Sequence, residues 1–225
     1  MAEAANLAGL IDHTILKPDA SQAQVLEFCA EARMHKFRSV CVNSVHVKLV
    51  AEALRGSGVL TCSVVGFPFG AMPAEVKAAE TARAVANGAE EIDMVIDIGA
   101  LKEGRVDAVR HDIAAVRAAC ANVVLKVIIE TCLLTDDQKR AVCRIAKEEN
   151  ADFVKTSTGY STSGATVADI ALMRASVGPE MGVKASGGVR TREVAEAMIA
   201  AGATRIGSSS GIAIVTSAAP SEGTY

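Results

Sequence analysis

Four short apolar runs, each interrupted by one charged residue, recur between residues 92 and 186: Ile92-Asp93-Met94-Val95-Ile96, Leu125-Lys126-Val127-Ile128-Ile129, Phe153-Val154-Lys155-Thr156 and Val183-Lys184-Ala185-Ser186. The three lysines are 29 positions apart (126 to 155, 155 to 184), and Asp93 precedes Lys126 by 33 (93 to 126). That interval is one strand plus one helix. Short apolar runs separated by helical patterns read as parallel βα units. Neighbouring parallel strands lie about 5 Å apart, so side chains at matching positions can share one space. A single lysine at a strand end is ordinarily one that reaches water. Because burying an isolated charge is costly, four such runs in step point instead to a polar site inside a repeating fold.

The rest of the chain continues the pattern. Strand patterns cover 10–16, 39–43, 60–66, 91–98, 123–129, 152–156, 182–186 and 204–207. A short helix over 3–9 precedes them, and helical patterns follow each strand: to about 35, then 45–55, 73–88, 101–119, 135–150, 167–177, 191–201 and from 209 onward. Eight βα units in 225 residues, against about 250 for the usual case, predict a (β/α)8 TIM barrel. A doubly wound sheet is disfavoured because Leu16-Lys17-Pro18-Asp19, not a glycine-rich turn, follows the first strand. Residues 1–225 read as one domain, with 216–225 as a flexible C-terminal tail.

Half the residues are hydrophobic but only 3% are aromatic, so the core must be aliphatic, as in parallel strands covered by alanine-rich helices. A net charge of −3 leaves no basic footprint for nucleic acid. No apolar run suits a membrane span, and the first residues lack a signal peptide's basic flank. The six cysteines and four histidines show no metal-ligand spacing. Free, mostly buried thiols in a cytoplasmic, metal-free and cofactor-free protein are expected.

In barrels the chemistry sits at the C-terminal ends of the strands. Lys155 is the candidate nucleophile, since burial lowers a lysine's pKa and a neutral amine attacks carbonyl carbon. Lys184 and Asp93 flank it as a proton-transfer pair; a structural ion pair is the competing reading. Lys126 supports them, and Asp12 and Thr14 share one face of the first strand. The loops 186–190 and 207–211 follow strands seven and eight, where barrels often bind phosphate. Gly187, Gly188, Gly207, Ser209 and Ser210 supply small residues and helix-start donors there, with Gly159 as a third edge.

These segments carry a resemblance. Ile-Asp-His-Thr at 11–14, Val-Gly-Phe-Pro-Phe-Gly at 65–70, Glu-Ile-Asp-Met-Val at 91–95, Val-Lys-Thr-Ser-Thr-Gly at 154–159 and Val-Lys-Ala-Ser-Gly-Gly-Val-Arg at 183–190 resemble the deoxyribose-phosphate aldolase family of class I, Schiff-base aldolases. The likeness runs from about residue 8 to 215. It implies the barrel, Lys155 as the Schiff-base lysine, Lys184 and Asp93 as the proton-transfer pair, a sugar phosphate and aldehydes as substrate and products, and a homodimer. Tyr160 departs from the Phe or Lys common there, and is expected to tune recognition near the phosphate. Tyr225 ends a Pro-Ser-Glu-Gly-Thr tether and is expected to fold over the site as a proton donor, with plain disorder as the alternative. Three other functions stay open: a lysine aldolase acting on a ketose phosphate, a metal-dependent aldolase, and a barrel that only binds sugar phosphates.

Overall fold

The structure is a computed structural model and describes residues 7–217. Eight parallel strands close into a barrel in chain order. They are β1 (Ile11–Ile15), β2 (Ser39–Val42), β3 (Leu60–Val65), β4 (Glu91–Val95), β5 (Val124–Ile128), β6 (Phe153–Lys155), β7 (Gly182–Ser186) and β8 (Arg205–Ser208), the last pairing with β1. Around them run α1 (Gln22–His35), α2 (Val47–Leu54), α3 (Ala74–Ala86), α4 (Ile98–Lys102), α5 (Val106–Ala119), α6 (Asp136–Glu148), α7 (Val167–Val177), α8 (Arg192–Ala200) and α9 (Gly211–Thr216).

Strand alternation divides the side chains. Ile92 and Met94 of β4, and Leu125 and Val127 of β5, join the aliphatic layer that also holds Val109, Ile113 and Val116 of α5. Their neighbours Glu91, Asp93 and Lys126 point the other way and are fully buried. Helix starts are fixed by side chains: Ser21 and Thr135 form reciprocal capping boxes with Gln24 and Gln138, each cap being worth about 1 kcal/mol.

The helix expected over 101–119 is two helices. Asp97 caps α4 by accepting from Ala100 N–H, which begins the helix at Ile98, where the strand was expected to continue. Gly104, at φ +75°, then breaks it, because a left-handed residue cannot continue a helix. Of the short helix expected over 3–9, the described part lies in a 3-10 turn at Leu7–Leu10; residues before it, and Tyr225 with 218–224, lie outside the described residues.

Candidate active site

Strand register decides which of the four charges meet. Asp93 pairs with Lys126 across β4 and β5, and Lys155 with Lys184 across β6 and β7. Between β5 and β6, however, Lys126 lies level with Phe153, and Lys155 with Ile128. The stagger that closes a barrel thus sets Lys155 and Lys184 two residues nearer the C-terminal mouth than Lys126. Asp93 joins the levels. Its Oδ1 accepts from Lys126 Nζ at 2.8 Å, and its Oδ2 accepts from Lys155 Nζ at 2.8 Å and Lys184 Nζ at 2.7 Å.

Further residues extend this network beyond the expected set. Lys184 also donates to Asp12 Oδ2, and Ser39 Oγ donates to Asp12 Oδ1 at 2.7 Å. Arg205 bridges Asp12 at 2.7 Å and Glu91 at 2.8 Å, and Lys126 reaches Glu91 as well. Glu91 was detectable from sequence, since it lies two positions before Asp93 on the same strand face. Arg205 had only its place at the start of a strand. Thr14 is level with Cys41, and its hydroxyl donates to Asp12 O.

Burial alone would push the Asp93 carboxyl up, but Lys126, Lys155 and Lys184 reverse this and hold it well below the usual carboxylate range. Asp12 is likewise lowered, burial being outweighed by Lys184, Lys126 and Arg205. Burial opposes the charge on Lys184 and Lys126, yet the facing carboxylates keep both above the ordinary lysine range. Lys155 has a different share. Lys184 holds two carboxylates, Lys126 faces Asp12, Glu91 and Asp93, and Arg205 holds two, whereas Lys155 has one carboxylate oxygen, shared with Lys184. Arg38 Nε also comes within 3.9 Å of Glu91, so five cations face these three carboxylates, and among the three lysines Lys155 makes the fewest ion pairs.

The expected phosphate loops flank these lysines. Gly159, Gly187 and Gly188 have φ of +87°, +84° and +79°, a conformation open to glycine. A Cβ on Gly207 would stand 2.3 Å from Ser186 Oγ and 2.9 Å from Lys184 Cε, so only glycine fits there. The buried hydroxyl oxygens of Ser157, Ser186 and Ser210, at the ends of β6, β7 and β8, have no hydrogen-bond partner among the described residues. Ser209 is half-buried beside them, and Ser208 Oγ accepts from Ser210 N–H. On the other side, Leu16, Val45, Phe67, Pro68 and Tyr160 line an apolar cleft of about 460 Å³. Tyr160 stands edge-on to Phe67 in this cleft, 5.5 Å between ring centres.

Glu130, after β5, escaped the sequence reading. Buried at φ +55°, it accepts from both Thr158 N–H and Thr158 Oγ1, tying down the loop that carries Gly159. Cys41, Cys62 and Asp93 offer possible metal-ligand atoms within 4.8 Å of one another. Both Asp93 oxygens already accept from lysine there, so an added cation would meet three ammonium groups.

Among the described residues no helix is long and apolar enough to cross a membrane. The chain is 60% identical over 213 residues to the deoxyribose-phosphate aldolase of Brevibacillus brevis, covering 95% of this chain and 96% of that one. It is 62% identical over 215 residues to that of Rhodospirillum rubrum, covering 96% and 90%. The tetrameric deoxyribose phosphate aldolase of Aeropyrum pernix superposes with a TM-score of 0.88 at 34% identity, covering 94% and 90%. A family model for DeoC/LacD aldolases matches residues 7–217, and the chain belongs to that family.

Proposed function

We propose that the protein catalyses reversible cleavage of 2-deoxy-D-ribose 5-phosphate to acetaldehyde and D-glyceraldehyde 3-phosphate through a Schiff base on Lys155. The observation that carries this is the buried amine of Lys155, held by a single shared carboxylate oxygen at the barrel mouth. The names of the relatives give the substrate.

Neutral Lys155 attacks C1 of the open-chain sugar, and loss of water leaves an iminium ion. Acetaldehyde takes two carbons, so the bond that breaks is C2–C3. A base reached through Asp93 and Lys184 takes the C3 hydroxyl proton; the C2–C3 electron pair moves into the iminium, giving an enamine and the aldehyde product. Protonation at C2 and hydrolysis then release acetaldehyde and restore the amine. Lys126 and Asp12 fix the Asp93–Lys184 pair. The loops bearing Gly159, Gly187, Gly188, Gly207, Ser209 and Ser210 hold the phosphate, which sets C1 beside the amine and lowers the entropic part of the barrier. The same proposal includes cytoplasmic action and a homodimer; light scattering distinguishes that dimer from the tetramer of the Aeropyrum pernix relative.

Borohydride added with substrate should trap a two-carbon or sugar adduct on Lys155, located by peptide mass. An adduct elsewhere, or none, overturns the proposal. Acetaldehyde among the products separates it from a ketose-phosphate aldolase.

A further inference from the structure

We propose that Cys41 and Cys62 are a peroxide-sensitive thiol pair that closes to a disulfide inside the barrel and reversibly shuts off the adjoining Asp93 site. The pair is set by register: Cys41 of β2 lies directly opposite Cys62 of β3. Paired residues of parallel neighbours project to the same face, and their strands are about 4.8 Å apart. That spacing falls within the roughly 4.4–6.8 Å that separates the α-carbons of disulfide partners. The two sulfurs and an Asp93 oxygen are mutually within 4.8 Å. Cys62 Sγ donates to Asp93 Oδ1 at 3.3 Å and accepts from Lys126 Nζ at 3.5 Å.

The other buried thiols differ in kind. Cys29, Cys120 and Cys143 belong to the layer between strands and helices, where burial pushes their thiols up to about 11, 11 and 12. Thiols held in that range are inert. Cys41 is moved the opposite way, by the Cys62 thiol against burial, with Lys184 and Lys155 assisting. Cys62 is pushed up by burial and by its neighbours Cys41 and Asp93. Cys62 keeps its proton on Asp93 Oδ1, which leaves Cys41 as the sulfur that attacks and Cys62 as the one that resolves. Both are fully buried, so bulky oxidants are excluded. They pack with Leu16, and Phe67 lies on this cluster; those two residues also border the apolar cleft. Hydrogen peroxide, little larger than water, can follow the route an aldehyde would use.

The chemistry balances with peroxide as oxidant. The Cys41 thiolate attacks one peroxide oxygen, the O–O bond breaks, and the departing hydroxide is protonated to water. Cys62 then attacks the sulfenic sulfur of Cys41; the S–O bond breaks, and its oxygen leaves as a second water with the Cys62 proton. Two thiols are oxidised and one peroxide is reduced. Disulfide formation removes the S–H that Cys62 gives to Asp93 and draws its sulfur away from Lys126.

The full chain, treated with hydrogen peroxide, alkylated and digested without reductant, should yield linked peptides containing Cys41 and Cys62, lighter by two hydrogens. Aldolase activity should fall at least tenfold and return with dithiothreitol. In Cys62→Ser the link should be absent, and the loss should resist dithiothreitol because unresolved Cys41 proceeds to sulfinic acid. Absence of the linked peptides in the unsubstituted protein overturns the pair whatever the variant does. Linked peptides with undiminished activity overturn the shut-off. The mass result is independent of the aldolase reading, which fails separately if untreated protein cannot split deoxyribose phosphate.

Discussion

Two clusters of buried lysine and aspartate serve this barrel differently. Behind β4, Lys77 of α3 donates to Asp112 of α5 at 2.7 Å and to Val95 O at 2.8 Å, while Asp97 N–H also donates to Asp112. At the mouth, one carboxylate, Asp93, receives three ammonium groups. The first is a matched pair that pins two helices to a strand end. The second sets more cations than carboxylates, and among its lysines Lys155, the proposed Schiff-base residue, makes the fewest ion pairs. Under the proposed mechanism, the number of ion pairs each lysine makes, more than its burial, separates the structural Lys77 from Lys155.

The largest break in this comparison is Lys155→Arg. A guanidinium does not form the imine, so kcat/KM should fall by about 10³-fold or more, with the far-ultraviolet spectrum unchanged. Lys77→Met should do the reverse. It strips Asp112 of its cation, and breaking a buried pair costs about 3–5 kcal/mol. Asp112 already has its carboxyl raised by burial against the pull of Lys77, so it can take up a proton, which favours the lower end of that range. Urea unfolding measures the loss, and the folded fraction should keep kcat within about threefold, because nothing at the mouth has changed. Equal loss of turnover in both variants would dissolve the distinction.

A smaller effect tests the phosphate side. A Cβ on Gly188 would meet nothing within 4 Å, although its φ is +79°. Gly188→Ala therefore adds backbone strain of about 1–2 kcal/mol without touching a neighbouring group. KM for the phosphorylated sugar should rise about tenfold, with the unphosphorylated sugar much less affected. Equal change for both would remove the loop from substrate recognition.

The barrel was legible because its signals are local: the strands are aliphatic runs, and several helices begin at a cap such as Ser21, Thr135 or Thr191. Asp93, Lys126, Lys155 and Lys184 were legible through their recurrence at intervals of 33, 29 and 29 positions. What the spacing hid was height. The offset of Lys126 from Lys155 comes from barrel stagger, a property of closure that no single strand carries. The Lys77–Asp112 pair was hidden for a related reason, since its members sit on separate helices and meet only after both pack on β4. Cys41 against Cys62 depends on β2–β3 register, and Glu130 on a left-handed turn at a residue type that rarely adopts one.

The two clusters should also part company in acid, by the smallest of these effects. Asp93 and Asp12 are held below their unfolded values. The stability they contribute is fully present above the unfolded pKa of about 3.9 and is lost as pH falls through the depressed folded values. Asp112 is raised, so its sign is opposite: its ionised form costs stability above the folded pKa, and that cost is relieved as pH falls. Each extra proton bound by the unfolded state changes stability by about 1.4 kcal/mol per pH unit. Between pH 5 and about pH 3, Asp93→Asn should therefore flatten the acid-side loss of stability, measured by urea unfolding at each pH. Asp112→Asn removes a group that gains as pH falls, so it should make the loss slightly steeper. If both variants shift the slope in the same direction, the surplus of cations at the mouth is not what sets Asp93 apart from Asp112.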